Sequence, residues 1–393
     1  MVKTGRNLLK ELVLPVFLPS LIYSTGENVL VPMIPAGAER LGANLASASL
    51  VAGMAVVGTL IADIPAAKFV AKIGERKGMI VAALTSVFGL TVAGLATNLW
   101  ILAFGVTVVG ASVSTFALAR HTYLAGAVDY AVRARASSTL GGMFRAGGLL
   151  GPLVAAAMIA LGDFKFVYWA AAILCLVPVA VLMFAKTDNE ADEANQTNFS
   201  TWHITKREWQ KLSTVGLASA FLAIVRTARI IGLPLWALYL HIDAGTTSLL
   251  IGGAAALDLS LFYASGQVMD RWGRRAAAVP TMTLMGFSMF LIPLTHDTGS
   301  LLIVALVISL ANGLGSGLIM TLGADLAPAD ARGEFLAAFR FLIDASVAVT
   351  APILAIASAT VGLGYGFYVF GAISLIGAWI MWKHIPLHIK HTR

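Results

Sequence analysis

Apolar runs of membrane-crossing length, separated by short polar breaks, occupy almost the whole chain. They lie near residues 12–34, 46–70, 79–97, 100–126, 138–161, 164–185, 213–240, 246–268, 277–294, 299–324, 334–358 and 363–384. A helix needs roughly 20 mostly apolar residues to cross the hydrocarbon core of a bilayer. The pattern therefore predicts an all-α integral membrane protein with twelve transmembrane helices, and little chain remains for a soluble domain.

The longest polar break is KTDNEADEANQTNFSTWHITKREWQK, Lys186 to Lys211. Its acidic beginning reads as a flexible linker. Its end carries Thr205-x-x-Glu208, a capping-box pattern that predicts a short amphipathic helix with Trp209 at the lipid interface. The expected organisation is residues 1–187 as one six-helix bundle, 188–212 as a cytoplasmic linker and 213–393 as a second bundle. The halves read as repeats. At an offset of 202, Pro32 meets Pro234 and Glu27 meets Arg229. At 199, Gly74 meets Gly273, and at 195, Phe144-Arg145 meets Phe339-Arg340.

Composition agrees with this pattern. Of 393 residues, 58% are hydrophobic and only 12% charged, with a mean hydropathy of +0.84, whereas soluble domains run near a quarter charged. The net charge of +7 does not point to nucleic acid, because 20 of the 27 Lys and Arg fall on the side shared by both termini and the even-numbered loops. Arg40 and Lys165 fall on the other side, and five arginines lie within runs. The positive-inside rule then places both termini in the cytoplasm, and the economy of the loops suggests a bacterial inner membrane. On that side the sequons at Asn195 and Asn198 carry no glycan. The first run is too long, and too interrupted by Glu27, for a cleaved signal. The single Cys175 sits in an apolar run and offers no disulfide or thiol site.

The polar breaks carry motifs. GQVMDRWGRR presents Gly266, Asp270, Arg271, Gly273, Arg274 and Arg275, with Gly266 expected to allow close helix packing and Gly273 to supply a tight turn. TGENVLVPMIP in the first run holds Gly26, Pro32 and Pro35, and the fifth holds Gly147-x-x-x-Gly151-Pro152, small residues that let helices approach, followed by a kinking proline. These residues resemble the loop signature, first-helix motif and antiporter motif of the major facilitator superfamily, in its twelve-helix drug:proton antiporter branch. The resemblance spans essentially the whole chain and implies two pseudo-symmetric six-helix bundles. The loop between the second and third runs, AKFVAKIGERKG, departs from the signature. Gly74, Arg76 and Lys77 fit, but Ala67 and Ala71 replace its first glycine and its aspartate. In the family that aspartate helps to clamp the cytoplasmic side, so the clamp is either lost here or passed to Asp270. Asp330 and Arg332 in PADARG resemble a further loop motif, with Asp129, Arg133 and Arg135 as a degenerate counterpart. Gate salt bridges are the expected role of both.

Charges inside the runs carry the mechanistic information, since each costs about 2.5–3.5 kcal/mol at mid-membrane without a partner or a watery cavity. Arginines 120, 145, 226, 229 and 340 stand against Glu27, Asp63, Asp258 and Asp344, and Arg340 and Asp344 share a helix face at i, i+4. The family fold implies that helices 1, 4, 7 and 10 line a cavity. Candidate cavity residues are then Tyr23, Glu27, Asn28, Arg120, Arg226, Arg229 and Trp236, with Arg145, Arg340 and Asp344 from helices 5 and 11. Glu27 is the first choice for a proton carrier, with Arg229 as its partner, and Asp344 and Asp258 are rivals. The alternative for Glu27 is a permanent structural ion pair. Asp63 is assigned a structural role. Tyr239, Phe144 and Phe339 are as easily packing residues as a substrate wall.

No phosphate-binding Gly-x-x-x-x-Gly-Lys-Ser/Thr loop, metal motif or nucleophile elbow occurs, and Gly313-Leu-Gly-Ser-Gly317 is read as close packing. The expectation is therefore a proton-coupled exporter of small amphiphilic molecules that is monomeric and works without a cofactor. An exporter or flippase of organic anions or lipid-like amphiphiles, or a transport-inactive sensor, is the alternative.

Overall fold

The computed structural model describes residues 12–128, 130–184 and 201–385. Among them, eleven helices are long and apolar enough to cross a membrane. The first apolar run falls short of that criterion because it is broken. A π-helical turn, Val13–Phe17, leads into α1 (Leu18–Leu30), and α2 (Met33–Arg40) follows a break at Val31 and Pro32. Pro32 has no N–H to give to the preceding turn, which explains the interruption. Counted with this broken span, the crossings number twelve.

The next five spans are α3 (Leu45–Ile73), α4 (Glu75–Gly94), α5 (Leu99–Ala127), α6 (Tyr130–Ala160) and α7 (Lys165–Phe184). Two short helices, α8 (Thr201–Arg207) and α9 (Trp209–Lys211), precede the seventh span, α10 (Leu217–Tyr239). Then come α11 (Ala244–Trp272) and α12 (Arg274–Leu291). The tenth span is split into α13 (Thr298–Leu314) and α14 (Leu318–Leu326), and the eleventh into α15 (Arg332–Val347) and α16 (Thr350–Thr360). The last is α17 (Leu363–His384).

The chain forms two compact units, one running to Ala194 with Asp243–Gly252, the other holding Asn195–Ile242 and Gly253 onward. In the first, α1 packs against α6 and α7, α5 against α3 and α4, and α4 against α7. In the second, α10 packs against α15 and α17, and α12 against α13 and α17. Span for span, four of these five pairings repeat, the exception being α3 with α5. So do the helix starts: Asn44 and Asn98 accept backbone N–H bonds at the starts of the second and fourth spans, and Asp243 and Asp297, each 199 residues later, do so at the starts of the eighth and tenth. Such caps satisfy donors that a helix start leaves open.

Glycine sets the closest crossing. A Cβ on Gly58 would collide with the Thr107 carbonyl, and one on Gly110 with the Ala55 carbonyl, so α3 and α5 meet backbone to backbone. Three sequence expectations need correction. Thr205 lies inside α8 rather than at its start, because the helix begins at Thr201, and Glu208 breaks it with φ −100°. A Cβ on Gly266 would meet nothing within 4 Å among the described residues, so Gly266 mediates no close packing. Gly313–Gly317 marks the break in the tenth span, with Gly317 left-handed at φ +74°. Asp129 and the two sequons lie outside the described residues, as does the side chain of Arg133.

Candidate functional site

In the first unit, α1 is pressed between two neighbours. A Cβ on Gly147 would stand 2.6 Å from Ser24 Cβ, and one on Gly151 2.6 Å from Asn28 Cβ, so α6 lies directly against α1. Gly26 meets α7 in the same way, 2.9 Å from Cys175 Sγ. Asn28 donates to the Ser24 carbonyl at 2.8 Å. One turn earlier, Tyr23 is buried, shares a 2.6 Å hydrogen bond with Ser86 of α4 and stacks on Phe116 of α5 at 3.9 Å. Arg120, one turn beyond Phe116, is 2% exposed. Its guanidinium lies 3.4 Å above the Phe144 ring of α6, and its Nε has no hydrogen-bond partner among the described residues. A cation on an aromatic face is stabilised by the ring quadrupole, more so when desolvated.

Glu27 is only partly buried, and Arg120 is the cation whose field acts on it. The two make no direct ion pair among the described residues. Arg229, the partner expected from the repeat, lies in the second unit, where it stands by Asp258. Arg145 on α6 is partly buried. Asp63 accepts a hydrogen bond from Ser114 of α5.

The second unit holds a tighter network. Asp258 on α11 is buried and accepts from Asn312 Nδ2 of α13 at 2.6 Å, with Arg229 of α10 at 3.6 Å. Arg229 also donates to Ser309 at 3.2 Å. Arg226 donates to the Gly315 carbonyl at 2.7 Å, at the break in the tenth span. Ser265 bonds the Leu314 and Ser316 carbonyls there, at 2.7 and 2.8 Å. A break inside a bilayer needs its freed carbonyls satisfied, and these side chains do so. Arg340 and Asp344 pair at 3.2 Å, with Arg340 exposed. Trp236 is buried, donates to Thr295 at 2.8 Å and meets Phe367 edge-on.

The loop motifs form a third group. Gly74 and Gly273 both sit at positive φ, +85° and +86°, which favours glycine at each turn. Arg76 donates to the Leu182 and Met183 carbonyls at the end of α7, at 2.7 and 2.9 Å. Arg274 contacts Asp325 at 3.0 Å and Asp270 at 3.4 Å, while Arg271 and Arg275 lie over Trp272 and Trp382. Asp330 takes both donors of Arg207, at 2.7 and 3.0 Å, which holds its carboxyl below the ordinary carboxylate range. Glu208 is lowered likewise, first by its bond to Lys211 at 2.8 Å. Lys211 also reaches the Leu326 carbonyl, and Ile204 is buried against the cluster of Leu212, Phe335 and Phe339. Arg332 opens α15, exposed.

Sequence reading did not single out Ser114, Ser265, Ser309 or Asn312, since small polar residues in apolar runs read as packing. Their partners lie two or three runs away in the chain, so no local pattern pointed to them. Among the described residues, no cluster of His, Cys, Asp or Glu is built to hold a metal ion.

No curated protein matches the sequence. Solved structures do match in fold. A D-xylose-proton symporter aligns with TM-score 0.74 at 15% identity, covering 96% of this chain and 98% of its own. A bacterial homologue of the human lysosomal transporter Spinster, inward-facing and unoccupied, aligns with TM-score 0.73 at 12% identity over 98% and 97%. The human organic anion transporter MFSD10 aligns with TM-score 0.67 at 14% identity over 96% and 99%. The profile described as Major Facilitator Superfamily matches residues 16–351 and, a second time, 215–392. With its repeated, multi-pass helical units, the chain thus belongs to the Major Facilitator Superfamily and is a transporter rather than an enzyme.

Proposed function

We propose that this protein is a proton-coupled secondary transporter that exports small amphiphilic molecules by alternating access, with Glu27 as the proton carrier. The observation that carries the reading is the Glu27–Arg120 arrangement. An intramembrane acid is functional by default, and this one lies in the field of a buried arginine without touching it. Desolvation disfavours a charged carboxylate and a nearby cation favours it. A movement of α1 against α5 that alters their separation therefore changes whether Glu27 holds a proton. Tyr23, Phe116 and Phe144 supply an aromatic wall beside Arg120. Asp258, bonded to Asn312 and close to Arg229, and Asp344, paired with Arg340, are better suited to structural pairing. In this reading residues 1–187 and 213–393 are the moving bundles, residues 188–212 join them, and both termini face the cytoplasm. A monomer in a bacterial inner membrane suffices for the cycle.

The second reading is transport of organic anions. Arg120 and Arg226 favour it, each held at a span interior by a π face or a backbone carbonyl.

One experiment tests both. The purified protein is placed in liposomes with an imposed pH gradient, and luminal pH is followed while cationic, zwitterionic or anionic amphiphiles are added. Substrate-dependent proton flux in the parent and none in Glu27→Gln is the expected result. Flux persisting in Glu27→Gln overturns the carrier assignment, and flux with anions alone selects the second reading. Ligand binding without any flux would favour a sensor.

A further inference from the structure

Five of the eight tryptophans lie at one end of the second unit, the end carrying the Gly273 turn: Trp202, Trp209, Trp272, Trp379 and Trp382. All are exposed, between 54% and 66%. Four basic side chains lie over their rings. Lys206 stands 5.2 Å from Trp202, Arg271 5.7 Å from Trp272, Arg275 5.0 Å from Trp382 and Lys383 5.2 Å from Trp379. None of the four has an acidic partner among the described residues, unlike their neighbours Arg274, Arg207 and Lys211.

The repeat provides an internal control. At an offset of 199, Arg275 corresponds to Arg76 and Trp382 to Met183. Arg76 spends its donors on the Leu182 and Met183 carbonyls. Arg275, at the same turn position, makes no hydrogen bond among the described residues and keeps its donor fork beside an exposed indole. Trp272, Trp379 and Lys383 correspond to Ile73, Ala180 and Phe184, so the first unit has neither the indoles nor the extra cation.

We propose that the corner formed by Arg275, Trp379, Trp382 and Lys383 binds the headgroup of an anionic phospholipid. Guanidinium forks match phosphate oxygens bidentately, an ammonium adds charge attraction, and tryptophan seats its ring at the headgroup level. Two cations on adjacent helix ends, α12 and α17, make a site for a single phosphodiester rather than a diffuse field.

The test uses the full-length protein carrying Trp100→Phe and Trp169→Phe, which removes exposed tryptophans elsewhere. It is reconstituted in bilayers containing brominated phosphatidylglycerol or brominated phosphatidylcholine, and quenching of tryptophan fluorescence gives the relative binding constant. A basic residue near an anionic surface contributes roughly fivefold. The expected result is a preference for phosphatidylglycerol of about fivefold or more, falling towards one in Arg275→Gln/Lys383→Gln and unchanged in Lys68→Gln/Lys72→Gln. Trp379→Phe/Trp382→Phe, which keeps both cations, is expected to remove the headgroup-selective part of the quenching. A parent ratio near one overturns the proposal and leaves an ordinary aromatic belt. An equal fall in the Lys68/Lys72 variant, or selective quenching that survives without Trp379 and Trp382, overturns it as well.

Discussion

The Arg229–Asp258 pair gives the sharpest quantitative prediction. Asp258 is buried, bonded to Asn312 at 2.6 Å and facing Arg229 at 3.6 Å. At an effective dielectric near 20, opposite charges at that distance attract by about 4–5 kcal/mol before desolvation is subtracted. Removing one member of a buried pair costs about 3–5 kcal/mol in water-soluble proteins. Polar contacts between membrane helices average about 0.6 kcal/mol with a maximum near 1.7, because the unfolded chain in a membrane also finds partners. Between these limits, Asp258→Asn and Arg229→Gln should each destabilise by about 1.5–3 kcal/mol, and the double variant by at least about 1 kcal/mol less than their sum. Equilibrium unfolding of the purified protein in mixed micelles measures all three. The Arg340–Asp344 pair, whose side chains are 60% and 30% exposed, is the control and should couple by no more than about 0.5 kcal/mol. Additivity at Arg229 and Asp258, or equal coupling at the two pairs, would refute the argument that burial makes the first pair structural.

Two further predictions follow from geometry. Gly110→Ala should abolish folding or cost more than about 3 kcal/mol, because its Cβ has no room against the Ala55 backbone; Gly148→Ala, with nothing within 4 Å, should be neutral in the same unfolding assay. The Arg207–Asp330 latch has a definite pH window. The Asp330 carboxyl is held low in the folded state, so its contribution is complete above the unfolded value of about 4 and is lost only as pH falls through the lower folded value. Hydrogen exchange across Thr201–Lys211 should show protection of this segment against opening that is constant from pH 5 to 8, after correction for intrinsic rates, and reduced in Asp330→Asn. Opening of that segment between pH 7 and 5, or an inert Asp330→Asn, counts against the latch.

Much of the architecture was legible because it depends on composition over long windows. The twelve apolar runs, the turns at Gly74 and Gly273 and the close approach at Gly147 and Gly151 all reflect residue types at fixed spacing. What escaped depends on which helices are neighbours. The repeat matched Glu27 with Arg229 by depth, but the field on Glu27 comes from Arg120 of the fourth span. Glycines 313, 315 and 317 are equally compatible with close packing and with a broken helix; the difference lies in Ser265 and Arg226, far away in the chain. The break at Ala348 and Val349 has its signal further on, at Pro352, which has no N–H to give to the Ala348 carbonyl four residues back.

The repeat explains why the two units treat charge differently. At the offset of 199 that relates the helix starts and the turns, Asp63, Ser114 and Arg120 correspond to Phe262, Gly313 and Ile319. In the first unit the arginine rises from the fourth span, lies on Phe144 and faces an acid it does not touch. In the second unit that position is Ile319, and Arg226 reaches across from the seventh span to the Gly315 carbonyl. The guanidinium is thus rooted on the fourth span in the first unit and on the seventh, the counterpart of the first span, in the second. One arrangement leaves an acid and a buried cation without a mutual contact, and the other spends its cation on the backbone of a broken span. A proton switch needs a pair whose separation can change, whereas a broken helix needs a fixed donor. The first unit meets the former requirement and the second the latter, which is the physical reason for looking for proton coupling at Glu27 before Asp258.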